Sequence, residues 1–126
     1  MTDTATADRN KALVQRGFAE FAAGNVEVLE ELLHDDFLEH SPGNPSGKTA
    51  FIEYIANAPV ASARLVLARV IADEEYVVVH YRMTPAAEPV EYAVADIWRI
   101  ADGKIVEHWD VVQPMPEAGE IPHGML

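Results

Sequence analysis

The chain contains no cysteine, which excludes disulfides, thiolate nucleophiles and cysteine-ligated zinc or iron–sulfur centres. Basic residues are scarce: 9 Lys and Arg stand against 21 Asp and Glu, a formal charge of −12. A field of that sign repels phosphate backbones and anionic lipid, so no nucleic-acid partner is expected. No apolar run approaches the roughly 20 residues that cross a bilayer, so no membrane partner is expected either. The opening MTDTATADRN has neither a basic nor an apolar leader segment, which makes the cytoplasm the expected location. A Gly-rich phosphate loop, a G-x-S-x-G elbow and an EF-hand loop are also missing. Carboxylates and imidazoles are what remain for chemistry.

The rest is an ordinary globular composition of 126 residues, 49% hydrophobic and 24% charged. Residues 1–126 read as one domain, large enough for a core and one deep pocket but too small for a separate cofactor domain. Residues 1–7 are small and polar and are expected to be disordered. Asp8 then reads as the cap of a helix carrying Ala12, Leu13, Phe18, Ala19 and Phe21, broken at Gly24-Asn25. A shorter helix with Val26, Leu29, Leu32 and Leu33 follows. Ser41–Gly47 is a loop of turn formers, and a third helix runs from Lys48 to about Asn57. After Pro59, the segments 63–72, 76–84, 90–101 and 104–113 read as strands, and 114–126 as an extended tail. Helices first and consecutive antiparallel strands afterwards mean an α+β fold, a curved sheet with helices over one face.

The register of the last hairpin decides which side chains meet. Ala101-Asp102-Gly103 suits a three-residue loop closed by a left-handed glycine. Asp96 then pairs with His108 and Val94 with Asp110, and Tyr92, Val94, Asp96, Trp98, Val106, His108, Asp110 and Val112 share a face. A two-residue Asp-Gly turn sends His108 to the opposite side. The second face, with Ile97, Trp109 and Val111, is apolar too, and helices can cover only one of them. It is a candidate for self-association into a homodimer.

Asp96 lies mid-strand between Ala95 and Ile97, where aspartate is disfavoured. It reads either as a charge paired to an arginine such as Arg82 or as a buried general base. His80 interrupts Val77-Val78-Val79 and reads equally as a core histidine or a catalytic one. His108 gains from its expected closeness to Asp96, and His40 stands before the Pro/Gly loop. These histidines with Asp96 and Asp110 are types that could assemble a 2-His-1-carboxylate site. No local spacing requires one, and no metal is expected.

Two segments resemble SnoaL-like proteins. Phe37-Leu38-Glu39-His40-Ser41-Pro42 with Gly47 and Phe51 is similar to that family's aromatic-x-Gln-His-Asn-Pro … Gly … Phe run, with Glu39 and Ser41 where the pattern has Gln and Asn. Val94–Pro114, which contains Asp96-Ile97-Trp98-Arg99 and Asp102-Gly103-Lys104-Ile105-Val106-Glu107-His108-Trp109-Asp110, is similar to its C-terminal hairpin. The resemblance implies a nuclear transport factor 2-like (cystatin-like) fold, a cone-shaped barrel of curved antiparallel sheet around N-terminal helices with a pocket at the open end. It also implies a polyketide cyclase-type activity, an aldol condensation or related proton transfer without metal or cofactor. The catalytic aspartate maps onto Asp96, a supporting histidine onto His80, and His40 and His108 onto positions lining the same cavity. The expected substrate is a small apolar or aromatic carbonyl compound walled by Phe18, Phe37, Tyr54, Trp98 and Val106. A non-catalytic ligand binder, an isomerase or an epoxide hydrolase of the same fold are the alternatives.

Overall fold

The computed structural model describes residues 3–126. Helix α1 (Thr4–Ala22) starts earlier than Asp8 because Asp3 caps it, accepting from Thr6 N at 3.3 Å and Thr6 Oγ1 at 2.6 Å. Residues 3–7 are therefore ordered, and the rest of the expected disordered segment lies outside the described residues. Ala7, Asn10, Val14 and Phe21 form the buried stripe of α1. Gly17 lets this helix approach α2 (Val28–Leu32) closely, since a Cβ there would sit 3.0 Å from Leu32 Cδ1.

Leu33 does not extend the second helix but opens a strand, β1 (Leu33–Glu39), with Leu33, Phe37 and Glu39 buried. The sequence around His34-Asp35-Asp36 masks this strand by its charge. Helix α3 (Lys48–Asn57) follows the loop, and a 3₁₀ turn at Pro59–Ser62 leads into the sheet. Strands β2 (Arg64–Ala72), β3 (Tyr76–Thr84), β4 (Tyr92–Ala101) and β5 (Lys104–Pro114) form consecutive antiparallel pairs. The order is β1-β5-β4-β3-β2, with β1 parallel to β5. Residues beyond Pro114 form no helix or strand.

Val14, Leu32, Leu33, Phe37, Phe51, Val77, Val79, Val94, Ile100 and Ile105 make a continuous core between the helices and the inner sheet face. The result is the α+β cone. No helix of the described residues is long and apolar enough to cross a membrane.

The β4–β5 connection differs from the three-residue reading. Asp102 (φ 53°) and Gly103 (φ 73°) are both left-handed, which makes a two-residue turn with Ala101 opposite Lys104. A bulge follows at once: Ile100 faces Ile105, but Arg99 faces Glu107, leaving Val106 over. Trp98 therefore faces His108, and Asp96 faces Asp110. Turn and bulge together restore the expected face but slide the pairing by two residues, so the opposite number of Asp96 is a carboxylate. Val106 leaves the cavity wall, and Ile105 takes its place.

Candidate active site

Between α1, α3 and the inner sheet face lies a cavity of about 280 Å³. One end is apolar, with Val14, Phe18, Phe21, Leu29, Leu32 and Leu65. The other collects Asp96, His108, Asp110, Ser41 and Asn44. No Lys or Arg is among the lining residues. Tyr54 and Val112, 43% and 45% exposed, stand where the cavity meets solvent.

His108 is the hub. Its ring is 4% exposed and lies between two buried carboxylates, with Nδ1 2.7 Å from Glu39 Oε1 and Nε2 3.1 Å from Asp96 Oδ1. Burial on its own disfavours the charged imidazole. Hydrogen bonds and charge from Asp96 and Glu39 outweigh it and push the pKa up to about 9. Both nitrogens then donate, one to each carboxylate. The ring also stacks on Trp98 at 3.9 Å and 26°, a face on which an imidazolium is favoured. The Trp98 indole N–H is buried without a hydrogen-bond partner among the described residues.

The carboxylates differ in their surroundings. Glu39 should rise through burial, but its hydrogen bonds from His108, Asn44 and the Ser41 backbone, with the charge of His108, hold it below the usual range. Asp110 moves the other way: burial pushes its carboxyl up, and the Ser41 hydroxyl and the His108 charge recover only part of the shift. Tyr81 is pushed well above an ordinary phenol by burial, by the charge of Asp96 and by its hydrogen bond to that carboxylate. Ligating-type atoms of Asp96, His108 and Asp110 lie within 4.8 Å of one another. Glu39 and Asp96 already occupy both His108 nitrogens, so the imidazole has no lone pair aimed at a cation.

Of the residues singled out in the sequence, Asp96, His108, Phe18, Tyr54 and Trp98 line this cavity. Phe18 meets the Tyr81 ring edge-on at 5.2 Å. The other four do not. His80 pairs with Ala95 and is one residue out of phase with inward Val79 and Tyr81, so it lies on the outer face, 2.5 Å from Arg69 Nη1. His40 is exposed beyond the end of β1, where it stacks on Trp109 at 4.8 Å and bonds Glu107 at 2.6 Å. Phe37 is 1% exposed and packs on Phe51 in the core, without lining the cavity. Val106 is the bulged residue. Sequence reasoning passed over Glu39, Tyr81, Ser41 and Asn44. The alternation Phe37-Leu38-Glu39 would have placed Glu39 inward, and the phase of Val77-Val79 would have chosen Tyr81 over His80.

The profile of the SnoaL-like domain family matches residues 14–108. Among solved structures, a candidate ketosteroid isomerase from Kribbella flavida superposes with a TM-score of 0.76 at 22% identity, over 98% of this chain and 87% of that one. A candidate SnoaL-like polyketide cyclase from Jannaschia gives 0.72 at 18% identity, over 84% and 86%. An NTF2-like protein of unknown function from Burkholderia xenovorans gives 0.78 at 15% identity, over 90% and 89%. At these identities the likeness is one of fold. No curated protein matches the chain.

Proposed function

The chain belongs to the SnoaL-like domain family, and from that premise we propose that it is a small enzyme moving protons on a neutral carbonyl compound held in its cavity. One observation carries this reading: Asp96 and Asp110 face each other across β4 and β5 at the polar end of an apolar cavity, in unlike surroundings. Asp96 is bonded to the His108 ring at 3.1 Å, and its charge acts on the buried Tyr81 phenol. Asp110 is the freer carboxyl, raised toward the range in which a general base works. The two sit on rigid strands, which favours precise placement.

In this reading Asp110 takes the proton α to the carbonyl and returns it to the product carbon or oxygen. The Asp96–His108 pair supplies fixed charge beside it. The apolar end orients the carbon skeleton, and the lack of a basic lining residue disfavours anionic substrates. A cyclising aldol step and an isomerisation both begin with this proton abstraction. A purely ligand-binding cavity would neutralise Asp96 with an arginine. The partner here is a histidine at 3.1 Å, which favours chemistry over storage.

The test is α-proton exchange of a panel of apolar cyclic and aryl ketones, such as 2-tetralone, in deuterated water, followed by NMR. Exchange above the buffer rate is expected for the wild type, with a loss of roughly 100-fold or more in Asp110→Asn. Exchange in Asp110→Asn within a few-fold of wild type removes Asp110 from the role. Exchange of every ketone at the buffer rate overturns the reading.

The outer sheet face is assigned to a second copy of the chain. Leu38, Val66, Ile71 and Val111 are exposed there, interleaved with Arg99 and Glu107, a pattern that a two-fold contact can pair crosswise.

A further inference from the structure

We propose that Glu39, which does not touch the cavity, is a positioning residue that fixes both the His108 ring and the loop closing the polar end of the site. Its side chain is fully buried and every contact is directed. Oε1 accepts from His108 Nδ1 at 2.7 Å, from the His40 amide at 2.9 Å and from the Ser41 amide at 3.2 Å. Oε2 accepts from Asn44 Nδ2 at 3.1 Å. One carboxylate thus grips the imidazole from behind and gathers the backbone that carries Ser41 and Asn44 into the cavity wall. With Nδ1 held, the His108 Nε2–H can point only at Asp96.

The charge matters as well as the shape. A buried carboxylate is costly unless it is paired, so Glu39 and a protonated His108 sustain each other. The groups facing His108 are Glu39 from β1, Asp96 from β4 with Tyr81 of β3 behind it, and Asp110 from β5. Helix α3 contributes only the Phe51 ring. None of these supplies a positive charge, so among the described residues the imidazolium is the sole counter-ion of Glu39 and Asp96. The resemblance already noted has glutamine at this position. Glutamine could accept the same hydrogen bond without the charge.

The test needs no substrate. Imidazole ¹⁵N shifts of His108 are followed against pH in wild type, Glu39→Gln and Glu39→Ala. The wild-type ring should be doubly protonated at neutral pH. Glu39→Gln should keep the Nδ1–H tautomer while its midpoint falls by about one pH unit or more. Glu39→Ala should lose both the midpoint and the tautomer preference, and the amides of Ser41 and Asn44 should exchange faster with solvent. An unchanged midpoint in Glu39→Gln overturns the proposal. So does a neutral His108 in the wild type at pH 7, which needs no variant to fold. The effect on turnover rests on the proton-transfer reading above, but the titration does not. A shifted midpoint with no ketone exchange would keep Glu39 in place and discard only the reaction.

Discussion

The inner and outer faces of one sheet carry histidines of very different standing. On the inner face His108 is locked between Glu39 and Asp96 and stacked on Trp98. On the outer face His40 also bonds a glutamate and stacks on a tryptophan, at 2.6 Å and 4.8 Å. The partner types are nearly the same, yet the His40 side chain is 42% exposed and that of His108 is 5% exposed. The contrast shows that chemistry at this sheet is set by side, through burial and low dielectric, more than by which residues are neighbours.

The sharpest way to break the comparison is to remove each histidine. His108→Ala strands two buried carboxylates and should cost about 3–5 kcal/mol in urea unfolding. His40→Ala removes an exposed pair and should cost about 1 kcal/mol or less. Similar costs for the two would erase the distinction.

The next largest effect is with pH. The His108 pKa is raised from 6.5 to about 9, so its stabilisation is fully present below 6.5 and is lost as pH rises through about 9. Its full size is on the order of 3 kcal/mol. Glu39 has the opposite sign: its lowered pKa contributes above 4.5 and is lost as pH falls through the folded value. These two groups therefore stabilise the fold most between about 4.5 and 6.5. Thermal unfolding across pH should show the alkaline decline in wild type and a flatter limb in His108→Ala.

A smaller effect tests the hairpin. Ile105→Val shaves a buried wall of the cavity and should cost about 1 kcal/mol. Urea unfolding reads that cost. Val106→Ala, at the bulge, should leave the cavity's affinity for a neutral apolar fluorescent probe such as N-phenyl-1-naphthylamine unchanged. The smallest effect belongs to the outer face. Val111 is 68% exposed, so Val111→Asp should leave monomer stability within about 0.5 kcal/mol. If a second copy covers that face, the same change should shift light scattering from dimer to monomer.

Strands β2 to β5 and helix α3 were legible to within two residues because their periodicity is uninterrupted between clear turn signals. Strand β1 was not, since Asp35 and Asp36 on its solvent side hide the inward Leu33, Phe37 and Glu39. At the site, Asp96 and His108 came through because polar residues in apolar strands stand out. His80 stood out for the same reason and lies on the wrong face. Contrast with neighbours identifies an unusual residue, but only its phase with the buried positions says where it points. Glu39 escaped notice because its partners come from residues 40 to 44 and 108, and only the parallel pairing of β1 with β5 brings His108 to it.

The bulge at Val106 also divides the hairpin into a forgiving end and an unforgiving one. The residue has no partner on β4, so a chain without it could run Ile105 straight into Glu107 with every later side chain still facing as before. Beyond Glu107 there is no such slack. One residue gained or lost between Glu107 and Asp110 would turn Asp110 toward solvent while leaving both strands intact. Changes of chain length near the turn should therefore be neutral to the site, and the same changes a few residues on should silence it without unfolding the protein.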